Sequence, residues 1–233
     1  MFWTFAQPSE LASGTVTIDG PRGHHLARAL RVRPGERGVV VGGGLEHDVE
    51  VVEVGGSRVV ARLIGERPVT GEPETAITLW QAVLPNADFD SVIENGTAVG
   101  VRRFVAIQAA RSIARPAAAR LSRWQSIAGS AAEQSHRGLV PSLAGPMTLG
   151  EALRHELDAS RLLILDPGAP DTLAAASGGS RAYTLAVGPE GGWTADEVSL
   201  LSQHGARRVN LGARILRARL APVIAAAILV QQS

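Results

Sequence analysis

From Thr75 to the C-terminus, short apolar runs alternate with amphipathic helical patterns, and this alternation most constrains what the 233-residue chain can fold into. Strands are expected at Ile77–Val83, Phe104–Ile107, Leu162–Leu165 and Leu185–Val187, and helices at Asp88–Val99, Ala118–His136 and Leu149–Leu157. Strands separated by helices cannot pair as tight hairpins. Each needs a crossover, which lays helices over both faces of a parallel sheet. The expected fold class of this part is therefore α/β.

In an open α/β sheet, ligands sit beyond the carboxyl ends of the strands, where glycine lets the backbone approach without a Cβ in the way. Two stretches fit that description. Gly188-Pro189-Glu190-Gly191-Gly192 follows the apolar run Thr184–Val187, and Leu211-Gly212-Ala213-Arg214-Ile215-Leu216-Arg217 follows Arg207–Asn210. Together they read as the wall of a small-molecule pocket. After the first, Thr194-Ala195-Asp196-Glu197 has the form of a capping box, so a helix should start there and stop at His204-Gly205. After the second, Pro222 suits the first turn of a helix whose apolar face would carry Ile224, Ala227 and Ile228. The apolar run Leu220–Val230 is 11 residues long, short of the roughly 20 needed to cross a bilayer. No membrane partner is expected.

The N-terminal part reads differently. Thr15–Ile18, Gly38–Val41, Asp48–Val54 and Arg58–Ile64 are short strand patterns between glycine-rich turns, suggesting a small barrel. One basic helix, His24–Arg31, interrupts them. Leu26, Ala29 and Leu30 share one of its faces while His25, Arg28 and Arg31 point elsewhere. Arg67–Pro73, with two prolines and a glycine, marks a linker. Domains are accordingly expected at 1–72 and 73–233.

Composition narrows the function. The absence of cysteine rules out disulfides and thiolate chemistry, and Met1–Phe5 lacks the charged flank and long apolar core of a signal peptide, so a cytoplasmic protein is expected. The six histidines show no metal-ligand spacing, and no metal is expected. All 23 basic residues are arginine. They cluster: Arg22–Arg37 holds five against one acid, Arg102–Arg137 seven against one, and Arg207–Arg219 five against none. Codon usage explains the missing lysine but not the clustering, which suits a phosphate-rich partner gripped by guanidinium forks. A phosphate-loop nucleotide enzyme is disfavoured, since neither Walker nor Rossmann glycine spacing is present.

The two glycine loops, together with Gln81-Ala82, Asp90, Thr97, Gly100-Val101, Arg123-Trp124, Ala131-Ala132-Glu133-Gln134-Ser135 and Arg137, resemble the RsmE-type ribosomal RNA methyltransferases. The N-terminal His25-Leu26, Ala29-Leu30-Arg31 and Pro34-Gly35 resemble that family's entry segment, so the likeness runs over most of the chain. The resemblance implies a SPOUT-type parallel sheet with a C-terminal trefoil knot in 73–233 and a PUA-like RNA-binding β-barrel in 1–72. It also implies a homodimer, S-adenosylmethionine as cofactor, and methylation of N3 of a uridine in small-subunit (16S) ribosomal RNA, free or in the assembled subunit.

Carried over residue by residue, the resemblance gives a cofactor site of Leu165, Gly188, Pro189, Glu190, Gly191, Gly192, Leu211, Gly212, Ile215 and Leu216. Arg217 would stabilise the uracil anion, and Glu190 would act as base or orienter. Substrate RNA would meet His25, Arg28, Arg31, Arg33, Arg111, Arg115, Gln134 and Arg137. For Glu133 and Arg137 a plain helical ion pair is an equal reading, and Trp124 reads as core. Two stretches depart from the family pattern. Asn95-Gly96-Thr97-Ala98-Val99-Gly100 stands where Lys-Ala-Thr-Glu-Leu-Gly is usual, and Ala218-Arg219-Leu220-Ala221 where Thr-Glu-Thr-Ala is usual. They leave open a catalytically silent RNA-binding homologue.

Overall fold

The computed structural model describes residues 1–12, 14–114, 120–158 and 160–232. The chain forms two compact units, Met1–Glu72 with Glu133–Leu139, and Pro73–Ala132 with Val140–Ser233.

The smaller unit is built on a six-stranded sheet ordered β1-β4-β5-β6-β3-β2. Its strands are β1 (Phe2–Phe5), β2 (Leu11–Ala12), β3 (Thr15–Ile18), β4 (Arg37–Gly42), β5 (Leu45–Gly55) and β6 (Arg58–Pro68). β1 runs parallel to β4, and the other neighbours are antiparallel. Strands β1 and β2 carried too short a pattern to be expected. β6 continues to Pro68, inside the expected linker, because Pro68 still pairs with Leu45. The linker is anchored further along, where Thr70 donates its amide (2.7 Å) and hydroxyl (2.9 Å) to the buried Glu46 carboxylate. The core gathers Phe2, Val16, Ile18, Leu26, Val40, Val49 and Val59.

Helix α1 (Gly20–His24) starts earlier than expected and widens through His25–Ala29. It ends where Arg31 adopts φ 56° and Val32 donates back to the Leu26 carbonyl at 3.1 Å. That is the helix stop usually made by glycine. Here arginine holds it, with Leu26 and Val32 buried beside it.

The segment Glu133–Leu139 was not assigned to this unit by any sequence pattern. Trp3 stacks on His136 with ring centroids 4.8 Å apart and donates its indole N–H to the Arg137 carbonyl at 3.0 Å. Thr4 donates to Glu133 at 2.6 Å, and the buried Arg137 guanidinium meets Glu72 through Nε (3.1 Å) and Nη2 (2.5 Å). This corrects two expectations. Where a helical Glu133–Arg137 pair was expected, Glu133 accepts from Thr4 and Arg137 meets Glu72, since α3 (Arg120–Gln134) has ended and His136 turns the chain with φ 54°. Arg137, 3% exposed, is turned to the interior rather than to an RNA.

The larger unit bears out the α/β reading. Its sheet is ordered β12-β10-β11-β7-β8-β9, with every pairing parallel. The strands are β7 (Ala76–Ala82), β8 (Arg103–Gln108), β9 (Ser142–Thr148), β10 (Arg161–Leu165), β11 (Ala182–Val187) and β12 (Arg207–Val209). Helices cover both faces. Ile77, Leu79, Phe104, Leu163 and Leu185 face α2 (Asn86–Ala98), α3, α5 (Leu173–Ala176) and α7 (Ala221–Gln231). Trp80, Val105, Ile107, Ile164 and Ala186 face α4 (Leu149–His155) and α6 (Ala195–Gln203). Trp124 is core, its ring 4.5 Å from that of Phe89.

The glycine in the departing stretch of α2 has a packing cause. A Cβ on Gly96 would lie 2.9 Å from Phe104 Cε1, so the helix lies closer to the sheet than alanine would allow. Helix α7 buries Pro222, Ala225, Ala226 and Leu229, and of the expected Ile224, Ala227 and Ile228 face Ile228 packs, partly buried, against the core. Ile224 is exposed. The edge strand is held on two sides: Asp166 donates to Val209 O (2.9 Å), while Asn210 donates to Asp171 O (2.9 Å) and accepts from Leu173 N (2.8 Å).

Glu72→Ala removes the carboxylate from a buried pair and should cost about 3 kcal/mol of stability, whereas Arg28→Ala, at an exposed site, should cost less than about 0.5 kcal/mol. Urea denaturation followed by tryptophan fluorescence measures both, and equal losses would show that the pair does not hold this unit.

Candidate functional site

Strands β10, β11 and β12 are neighbours and parallel, so their carboxyl ends open on the same side of the sheet. The three loops that leave them, beginning at Leu165, Gly188 and Asn210, line a single cavity of about 710 Å³ counted to its open mouth. Of the residues expected to hold a cofactor, Leu165, Gly188, Pro189, Glu190, Gly192, Leu211, Gly212, Ile215 and Leu216 all line it.

Gly191 is the exception. A Cβ built there would meet Arg111 Cδ at 3.4 Å, so the position faces Arg111 and not the cavity. Gly188 is the sterically demanding position of that loop. Its added Cβ would stand 3.1 Å from the Trp193 amide nitrogen and 3.2 Å from the Gly192 carbonyl carbon, both backbone atoms that cannot swing aside. The capping box is formed: Thr194 accepts from Glu197 N (3.2 Å), and Glu197 accepts from Thr194 N (2.8 Å).

Asp166, Pro167, Val187, Trp193, Val209, Asn210, Ala218 and Ala221, none of them assigned to the cofactor from sequence, complete the lining together with Arg214, which the sequence placed in the second loop without a cofactor role. The first two had a usable signal, since they directly follow the apolar run of β10, where a parallel sheet binds ligands. Asp166 is fixed on both oxygens. Oδ2 accepts from Arg208 Nε (2.7 Å) and Nη2 (2.6 Å), and Oδ1 from Gly168 N (2.8 Å). Asn210 links two walls, donating to Ala169 O (2.8 Å) and accepting from Gly212 N (2.9 Å). Trp193 is buried in the wall, and its indole N–H has no hydrogen-bond partner among the described residues.

The segment 214–221 separates this cavity from a second groove against α2. Arg214, Ile215, Leu216, Ala218 and Ala221 turn to the cavity, while Arg217, Arg219, Leu220 and Val223 line the groove with Ser91 and Asn95. Arg217 is thus exposed on the groove side. Arg219, the departure from the family pattern, pairs with Asp88 at 2.9 Å and stands clear of the cavity lining. Glu190 is exposed at the cavity wall.

The remaining expected residues are dispersed. His25, Arg28, Arg31 and Arg33 are all exposed along the α1 end of the smaller unit, and none makes an ion pair among the described residues. Gln134 is exposed at the end of α3. Arg111 spends one amino group on the glycine loop, donating to Gly191 O at 2.7 Å. Arg115 lies outside the described residues. No group of three or more His, Asp or Glu able to hold a metal ion occurs among the described residues.

The RNA methyltransferase domain family matches residues 71–230. Ribosomal RNA small subunit methyltransferase E of Mycobacterium bovis is 34% identical over 220 residues, covering 89% of this chain and 83% of the relative. The Synechocystis protein of the same name is 31% identical over 226 residues, covering 94% and 74%. Among solved structures, ribosomal RNA small subunit methyltransferase E from Neisseria gonorrhoeae, bound to S-adenosyl methionine, superposes with a TM-score of 0.91 at 33% identity, covering 99% of this chain and 97% of that one. A Legionella pneumophila methyltransferase with bound S-adenosylmethionine gives 0.88 at 26% identity, covering 98% and 96%. The likeness spans both compact units and includes the loops that wall the cavity, and on it the chain belongs to the ribosomal RNA small subunit methyltransferase E family.

Proposed function

We propose that this protein transfers the methyl group of S-adenosylmethionine to N3 of a uridine in small-subunit ribosomal RNA, with the cofactor held in the cavity beyond β10, β11 and β12. The observation that carries the reading is the convergence of two glycine-bearing loops, distant in sequence, on one cavity in a chain so similar to a relative solved with that cofactor. The residues fit such a ligand. Leu165, Val187, Pro189, Leu211, Ile215 and Leu216 offer apolar surface for a flat adenine, while Asp166, Glu190, Asn210 and Arg214 offer the charges and amides that a ribose, an ammonium and a carboxylate require.

When bound, S-adenosylmethionine supplies a methyl group on a sulfonium whose departure leaves a neutral thioether. The chain's task is therefore orientation more than covalent chemistry. Uridine N3 attacks only after losing its proton, so a carboxylate to accept the proton and a cation to hold the resulting anion are needed nearby. Glu190, at the cavity wall, is the proposed base or orienter. Arg217 is the proposed anion stabiliser, one residue beyond the cavity-lining Leu216, with Arg214 on the cavity side of the same segment.

The finer architecture belongs to the same proposal. A trefoil knot in 73–233 is supported by the bonding of residues 209–210 to Asp166 on one side and to Asp171 and Leu173 on the other, so that the connection between them spans the strand. A PUA-like barrel in 1–72 that holds RNA is supported by the closely paired strands and by the exposed His25, Arg28, Arg31 and Arg33. A homodimer is supported by Leu220 and Ile224, apolar yet exposed beside the groove. A ribosomal substrate fits a cytoplasmic protein.

The direct test incubates the protein with labelled cofactor and hypomodified small subunits and maps the label; incorporation at an atom other than uridine N3 would overturn the substrate assignment. Gly188→Val should push the loop backbone into the cavity and weaken S-adenosylmethionine binding by about tenfold or more, whereas Gly191→Ala should change it by less than about threefold. Calorimetric titration distinguishes them, and equal affinities would detach the loop from the site. Arg217→Ala should lower kcat by about a hundredfold with cofactor affinity unchanged, as single-turnover kinetics would read. Replacing Arg28, Arg31 and Arg33 together with alanine should flatten the salt dependence of RNA binding by about two to three units of slope. An unchanged slope would remove them from the RNA surface.

A further inference from the structure

Arg111 lies at the carboxyl end of β8, in a turn closed by Ser112 N to Ala109 O (3.0 Å) and Ala109 N to Ser112 Oγ (3.3 Å). Ala109 and Ser112 are buried, so the turn is a firm base. Two clamps reach from it to the glycine loop. The Ala110 amide donates to Glu197 Oε1 at 2.8 Å, while Oε2 of the same carboxylate caps α6. The Arg111 Nη1 group donates to Gly191 O at 2.7 Å and approaches Trp193 O at 3.5 Å, and its methylenes lie against Gly191. Among the described residues no carboxylate pairs with this guanidinium, and its shorter hydrogen bond, at 2.7 Å, goes to the Gly191 carbonyl.

The bond to Gly191 acts on a peptide that is held at its other end as well. Gly192 N donates to Pro189 O at 2.8 Å, and a trans peptide is planar with its C=O and N–H opposed. Fixing the Gly191 carbonyl toward Arg111 therefore fixes the whole Gly191–Gly192 unit. Two consecutive glycines otherwise have more backbone freedom than any other pair, and that freedom would be lost again each time a ligand bound. A charge-assisted bond is well suited to remove it in advance.

We propose that Arg111 is a positioning residue for the cofactor loop: by holding the Gly191 carbonyl it pre-forms the cavity wall, and it does not serve chiefly as a phosphate grip. The proposal rests on the reading of the cavity as the methyl-donor site. It makes the turn after β8 part of the cofactor site although no residue of that turn lines the cavity.

The test titrates S-adenosylmethionine into the full-length protein without RNA. Arg111→Ala should weaken binding by about tenfold or more, as expected for loss of a charged hydrogen bond that organises a loop. Arg111→Lys, which keeps a donor and a charge, should recover part of that loss, while the thermal midpoint of both variants stays near that of the unsubstituted protein. In steady-state assays the alanine variant should raise KM for the cofactor and leave KM for RNA unchanged. Unaltered cofactor affinity in Arg111→Ala, with weaker RNA binding and a salt slope lower by about one unit, would overturn the proposal and return Arg111 to the phosphates. Equal losses in the lysine and alanine variants would also overturn it. If the unsubstituted protein fails to bind the cofactor, the cavity reading falls and this assignment falls with it.

Discussion

The parallel pairing of β10 with β11 and of β10 with β12 is the constraint on which the rest of the larger unit depends. Parallel strands begin on one side of the sheet and end on the other, so three consecutive carboxyl ends must deliver their loops to the same place. The candidate site is the consequence. Leu165-Asp166-Pro167, Gly188–Trp193 and Asn210–Leu216 meet there although they lie far apart in the chain. Burial on both faces enforces the pairing. Leu163 and Leu185 point into one core and Ile164 and Ala186 into the other, and a slip of one residue would exchange the two sets.

Polar contacts then decide the shape of the loops. Asp166 is held by Arg208 and by the Gly168 amide, Asn210 ties the 169 and 212 regions together, and Glu197 serves the α6 cap and the turn after β8 at once. Arg111 closes the set from outside. The cavity is thus surrounded by groups whose hydrogen bonds are largely made before any ligand arrives, which keeps the cost of ordering low. Of the departures from the family pattern, Gly96 answers to Phe104 and Arg219 to Asp88, outside this arrangement, whereas Ala218 lines the cavity.

The smaller unit follows a different logic, with a modest apolar core supplemented by buried charge. Glu46 and Arg137 each lose nearly all contact with water and are matched by Thr70 and Arg67, and by Glu72. Such pairs add little net stability over apolar residues but are costly to break, so they specify which segments belong together. In this way Glu133–Leu139 joins strands more than a hundred residues earlier in the chain.

Much of the larger unit was legible because its signals are local. The alternation of apolar runs and helical patterns, the Thr194–Glu197 capping box and Pro222 at the start of α7 all depend on neighbours within a few positions, and they recur in the structure with ends shifted by up to three residues. Sequence alone also marked both glycine loops. What it did not determine was anything set by a partner far along the chain: β1 as a strand, the burial of Arg137, the face α7 turns inward, and the duty of Arg111. Side-chain direction is decided by packing and by distant hydrogen-bond partners, and those exist only once the sheet has brought the segments together.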